Sequence, residues 1–344
     1  RRPRSEMVGV FCVWGLVFCS GRLENLEPNE RASLPNNALQ ESLSKRFRRL
    51  LSGDPDGVPP WLDVIASGDE PGLYLPGDAP WVVHADFGTL VGGIRALLMQ
   101  ALHPGSLTGV ATHSRYEQDA LGRLAGTIRW LTVTTFGSHA AVAGESQRVN
   151  RMHKRVTGDY QTAGGEQRPY KAADPDLLLW VHIAFMDSFL RCHQLFAWRA
   201  IPSGSDSGTI AGESGADAYV RLWAKSVTPL GLDRAPMNEA ELVAEIKRYK
   251  RELVATSKTL DVVKFIKRPP LPLLARPVYW LLFEAAVISL PLEFRELLGL
   301  KARSRAIIQP LTRGVLRFIR IAIGPESPIE DGAIARLRRI GALN

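Results

Sequence analysis

Histidine is the residue type in this chain best suited to holding a metal, and seven are present: His84, His103, His113, His139, His153, His182 and His193. A neutral imidazole binds iron, copper or zinc. His153 stands apart by its spacing. Val142, Val149, His153 and Val156 recur at intervals of seven, four and three, which puts His153 on the apolar face of a helix. Arg148, Arg151, Lys154 and Arg155 fall mainly on the other faces. An imidazole projecting from an apolar helical wall is how a proximal haem ligand is presented. The same spacing also suits a buried histidine bonded to a carbonyl.

His182 sits among Leu178, Leu179, Phe185 and Met186, all apolar helical neighbours. Burying an imidazole there without a partner costs about 1–3 kcal/mol, so it calls for a hydrogen bond or a metal. Arg123 and Thr127 are four apart and share a helix face. A guanidinium and a hydroxyl aimed at one pocket suit a haem propionate or a bound oxygen species. His103, before Pro104 at a helix end, and His113, in the loop Thr112-His113-Ser114, are candidates for lining a cavity.

Other chemistries lack their signatures. His84-Ala85-Asp86 offers a histidine and a carboxylate, but residues two apart point to different faces of a helix. There is no HExxH, CxxC, GxSxG or GxGxxG.

These residues need helices to place them, and the pattern supplies helices. Phe87–Leu102 is apolar, uses Gly92-Gly93 as a point of close packing, and stops at His103-Pro104-Gly105. Arg123–Phe136 and Ser138–Thr157 follow, the second closed by Gly158. Asp174-Pro175-Asp176 is a start signal for Leu177–Phe196, a helix apolar on almost every side and therefore expected in the core. Ala216–Leu230, Glu239–Thr259, Val278–Leu290 and the basic amphipathic Leu311–Ile323 complete the set. Alternating strand patterns are scarce and no repeat is present, so the expectation is a single large all-α domain over residues 73–335. Residues 1–72 read as an N-terminal arm with a basic helical segment at Leu39–Leu51.

Composition narrows the class. Lys and Arg total 43 against 35 Asp and Glu, a net charge of +8, but the basic residues are spread along the chain with no motif for reading nucleic acid, which excludes that partner. A basic C-terminal segment suits weak contact with an anionic membrane surface. Three cysteines, Cys12, Cys19 and Cys192, form no disulfide framework, in keeping with a reducing, cytoplasmic setting. Arg1, Arg2 and Arg4 ahead of the apolar stretch Val8–Cys19 have the layout of a signal peptide and leave export open.

One ordered set of motifs carries a resemblance. It begins with Gly93-Ile94-Arg95-Ala96-Leu97-Leu98-Met99-Gln100-Ala101-Leu102-His103-Pro104, continues with Leu121-Gly122-Arg123-Leu124 and Thr127, then His153 with Val156-Thr157-Gly158. It closes with Tyr170-Lys171-Ala172-Ala173-Asp174-Pro175 running into Trp180-Val181-His182. The set resembles the DUF2236 family, also called the oxygenase MpaB family, which includes the rubber-cleaving latex clearing proteins. The resemblance implies an all-helical fold of latex-clearing-protein or globin-like type around a b-type haem iron, and oxidation of an apolar, isoprenoid- or lipid-like substrate with O₂. It points to His153 as the axial ligand, to Arg123 and His182 beside the cofactor, and to Arg123, Thr127, His103 and His113 as the catalytic set. Two positions depart from the latex clearing pattern. Asn150 stands where the Arg of an Arg-x-x-His motif is expected, and Gly126 stands where those enzymes carry a Lys able to cap the iron. That makes rubber itself a poor substrate and a smaller apolar molecule the expected one. A haem-binding protein without turnover and a cofactor-free, lipid-associated helical module are the rival classes.

Overall fold

The computed structural model describes residues 61–111, 116–203, 210–271, 273–323 and 327–343; the side chains of 109–125, 274 and 322–323 lie outside that description. The apolar stretch Val8–Cys19, the basic segment Leu39–Leu51, His113 and the side chain of Arg123 therefore fall outside it. Among the described residues the protein is all-α, with fourteen α-helices and a single two-stranded hairpin.

The axis of the fold is α7 (Pro175–Phe196), and its start shows why the sequence forms a helix there. Asp174 accepts a hydrogen bond from the Asp176 N–H at 2.9 Å, and Pro175 occupies the first turn. Such a cap is worth about 1 kcal/mol. Antiparallel to α7 runs α3 (Gly88–Gln100). The contact is close at Gly92, where a Cβ would lie 2.7 Å from the Phe189 ring. One turn along, the buried Arg95 reaches across α7: its Nη2 donates to Asp187 Oδ2 at 2.6 Å and its Nη1 to Ser188 Oγ at 2.8 Å. Every charged atom in this contact is matched, which is the condition for burying a cation.

Before α3 come α1 (Leu62–Ala66) and α2 (Ala79–His84). The chain is part of the packed domain from Trp61 onward, whose Nε1 donates to Thr132 Oγ1 at 2.8 Å. Residues 61–72, the end of the stretch that reads as an arm, meet the core through the buried Trp61 and Ile65. After α3 follow α4 (Pro104–Ala111), α5 (Tyr116–Phe136) and α6 (His139–His153). The sequence predicts that α6 continues to Thr157. Instead it stops at His153, and β1 (Thr157–Gln161) pairs antiparallel with β2 (Gln167–Lys171). Gly158 thus lies in a strand opposite Tyr170 and does not cap a helix.

Beyond α7 stand α8 (Gly215–Ala224), α9 (Glu239–Tyr249) and α10 (Ser257–Lys267). The single helix expected over Glu239–Thr259 is two, because Thr256 and Thr259 form a reciprocal cap that starts α10. Then come α11 (Arg276–Ser289), α12 (Leu292–Leu297), α13 (Arg305–Ile323) and α14 (Pro328–Arg339). The last of these closes the fold: buried Arg336 donates to the carbonyls of Ile65 and Phe136.

Candidate active site

The helices α5 and α6 form the first wall. Ser138 caps α6 by accepting from the Ala141 N–H at 3.2 Å, which turns the chain back along α5. A buried carboxylate then joins the two helices. Glu145 accepts from Arg129 Nε of α5 at 3.0 Å and from Arg148 Nη2 of α6 at 2.6 Å. Arg148 also approaches the Gly126 carbonyl at 3.4 Å. Val142, Ser146 and Val149 are buried on the face of α6 that ends in His153, itself half-buried at the last helical residue. The apolar-face reading of His153 therefore corresponds to a helix face packed on its neighbour. Gly126 lies opposite Arg148, about a turn and a half of helix from His153 along α6. A Cβ at Gly126 would meet nothing within 4 Å. Thr127, beside it, is half-buried.

A second wall is aromatic and runs from α7 to α5. His182 is buried, three residues before Phe185 and seven before Phe189, whose rings stack at 5.6 Å. Phe189 meets His84 of α2 edge-on at 5.2 Å, His84 meets Trp223 of α8 at 4.3 Å, and Trp223 meets Trp130 of α5 at 5.8 Å. Trp130 is one turn beyond Thr127, so this wall ends where the first begins. Several polar atoms along it are buried without a hydrogen-bond partner: His182 Nε2, Trp130 Nε1, Trp223 Nε1 and Thr134 Oγ1. Desolvation alone lowers the pKa of His182 to about 3, so its ring is uncharged at any ordinary pH.

His84 and His103 are engaged elsewhere. Thr135 gives its hydroxyl proton to the Leu131 carbonyl, so it accepts from His84 Nδ1 at 2.8 Å, and Nε2 accepts from Tyr219 OH at 3.1 Å. His84 is a bridge between α5 and α8. Asp86 faces elsewhere and accepts from the Gly88 N–H at 2.7 Å.

His103 starts α4. Its Nδ1 accepts from the Gly105 N–H at 3.1 Å, which leaves the proton on Nε2, 3.4 Å from Glu252 Oε2. Burial lowers its pKa, and Glu252 works against that. The ring lies among Tyr160, Trp180 and Tyr249. Trp180 and His182 are two residues apart on α7 and so point to different sides. The structure thus separates His103 from the face that His182 presents. Cys192 is buried, and burial pushes its thiol up to about 12, which makes it inert as a nucleophile.

Sequence reasoning missed Glu145, Arg129 and the pairing role of Arg148. The available signal was a carboxylate three residues from an arginine on one helix face; its partner on α5 is visible only in three dimensions. Among the described residues no three His, Cys, Asp or Glu side chains gather as a cage for a metal ion, and no helix is long and apolar enough to cross a membrane.

The catalytic domain described as ER-bound oxygenase mpaB/B'/rubber oxygenase matches residues 81–321. The chain belongs to this family. The residues of both walls, from His84 to Trp223, lie within the matched span, so the family's catalytic domain includes the helical site just described. Membership makes the protein an oxidoreductase of the oxygenase type. No curated protein and no solved structure matches the chain.

Proposed function

We propose that this oxygenase domain works with a b-type haem and O₂ on an apolar, isoprenoid- or lipid-like substrate, with His153 as the residue that would hold the iron. The observation that carries the reading is His182: a buried, uncharged imidazole with an unpartnered Nε2, set on an aromatic wall with other unpartnered donors. Leaving such a group unmatched costs about 1–3 kcal/mol, a cost that a bound group relieves. The donor set suits a porphyrin. A bare ion finds no triad of ligands among the described residues, whereas a porphyrin brings its own four nitrogens and asks the protein for an imidazole and for cations near its propionates.

His153 at the end of α6 would supply that imidazole, and the Glu145 clasp with Arg129 and Arg148 would fix the helix that presents it. Arg123 and Thr127, four apart on α5, would serve a propionate or the oxygen side of the site. When bound, the haem supplies the activation of O₂. The chain's own part is to exclude water with Phe185, Phe189, Trp223 and Trp130, to orient the cofactor from His182, and to move protons. His103 Nε2–H, directed at Glu252, is suited to the last task, with His113 as the second candidate. Gly126 places no side chain in the open space beside α5, which leaves that side to oxygen and substrate.

The absorption spectrum of the purified protein tests the reading. A Soret band that is retained in the wild type and lost in His153→Ala is the expected result. A colourless protein that takes up no haemin overturns it. Oxygen uptake with apolar substrates then separates an oxygenase from a carrier of haem.

A further inference from the structure

α13 has two apolar faces, and the fold uses one. Ile308, Thr312, Leu316 and Ile319 are buried against the body of the protein. Beside them Ile307, Leu311, Gly314, Phe318 and Ile321 recur at intervals of four and three, which makes a second stripe along the helix. This stripe is open to solvent: Ile307 is 59% exposed, Leu311 52%, Phe318 70% and Ile321 57%. Large apolar side chains exposed in a row mark an interaction surface, whereas scattered ones need no explanation.

The charge around the stripe selects the partner. From Leu297 to Ile323 the chain carries Lys301, Arg303, Arg305, Arg313, Arg317 and Arg320 and no acidic residue. Two of these cations lie on exposed tryptophans: the Arg317 guanidinium is 4.2 Å from the Trp198 ring centre and that of Arg303 is 5.3 Å from the Trp280 ring centre. Tryptophan with arginine at the rim of an apolar helix face is the composition of an interfacial anchor. A second copy of this chain fits poorly, because a two-fold contact would set one cationic stripe against its duplicate. The chain's own segment at Leu39–Leu51 carries Lys45, Arg46, Arg48 and Arg49, so it would also meet like charge.

We infer that α13 is a peripheral docking face for an anionic lipid surface, lying in the plane of the headgroups with Leu311 and Phe318 inserted. The inference is independent of the haem reading, since it concerns a face outside the walls of the candidate site. Arg303 and Arg320 pair with Glu284 and Asp86, so the attraction combines burial of the apolar stripe with the pull of an anionic leaflet on Lys301, Arg305, Arg313 and Arg317.

Sedimentation of the full chain with vesicles tests it. Phosphatidylglycerol–phosphatidylcholine vesicles should capture the protein, phosphatidylcholine alone much less, and raised salt should weaken the capture. The double variant Leu311→Glu, Phe318→Glu should lower partitioning about tenfold or more, while Val243→Glu, an equally exposed apolar site on α9, should leave it unchanged. Should the acidic pair impair folding, judged by its thermal melt, Leu311→Ser with Phe318→Ser serves the same comparison. Capture of the variants at the wild-type level overturns the proposal. So does a dimer in sedimentation velocity that the variants dissolve while the wild type ignores vesicles. The haem spectrum of each variant is read in parallel, so a failure here leaves the oxygenase reading intact.

Discussion

Two buried regions meet on α7 and treat their polar groups in opposite ways. Toward α3, the guanidinium of Arg95 is matched by Asp187, Ser188 and the Ser289 carbonyl. Toward α2, α8 and α5, the polar atoms of His182, Trp223, Trp130 and Thr134 have no hydrogen-bond partner. Arg95, His182, Trp223 and Thr134 are all buried, so exposure does not explain the contrast. A matched network serves the fold, because it recovers what burial costs. An unmatched one costs stability until something binds, which is why the proposed function sets the cofactor against this wall.

The largest way to break the first region is Arg95→Ala. It takes Asp187 Oδ2 and Ser188 Oγ from their buried partner while Arg191 keeps Asp187 Oδ1, and unfolding by urea should show a loss of about 3 kcal/mol. Haem bound per folded molecule should stay at the wild-type value, because the partners of Arg95 (Ser289, Met99, Ser188 and Asp187) belong to neither wall. Next in size is Gly92→Ala. Its Cβ would meet the Phe189 ring at 2.7 Å and the Phe189 Cα at 3.3 Å, so α3 and α7 must part; the expected cost is about 1–3 kcal/mol in the same assay.

The smallest effect has the opposite sign and is the sharpest test. His182→Leu removes an unpartnered imidazole and should leave the haem-free protein as stable as the wild type or about 1 kcal/mol more stable, while haem uptake falls. The pH dependence follows the same logic. In the folded protein the pKa of His182 lies at about 3, below the 6.5 of a free imidazole, so between these values the unfolded chain binds a proton that the folded chain refuses. The stability of the wild type is therefore full above pH 6.5 and declines as pH falls toward 3. The Leu variant should show a shallower decline in its melting temperature. Part of the slope will persist, because burial also lowers His84, His103 and His193. An unchanged slope would sink the assignment of His182 as a buried neutral ring.

Much of this fold is legible from local signals. Asp174-Pro175-Asp176 starts α7 as expected, and Gly92 marks the close contact with α3. What escapes the sequence is pairing at a distance. The hairpin β1–β2 is mostly exposed on both faces, so Thr157–Gln161 and Gln167–Lys171 lack the apolar alternation that betrays a strand. The helix expected from Leu311 begins six residues earlier, at Arg305, because its buried face beginning at Ile308 holds the first turns despite the backbone donor lost at Pro310. In the site, the need of His182 for a partner is evident from its apolar neighbours. The clasp of Glu145 is not, since half of it sits on another helix.

Gly126 and Gly92 are both glycines in helix interiors, but only Gly92 is required by packing. At Gly126 the backbone tolerates any side chain and the surrounding space accepts one. That position is therefore an engineering port. A lysine, a histidine or a bulky apolar group can be installed there without rebuilding the scaffold, which under the proposed function would let the oxygen side of the site be retuned independently of stability.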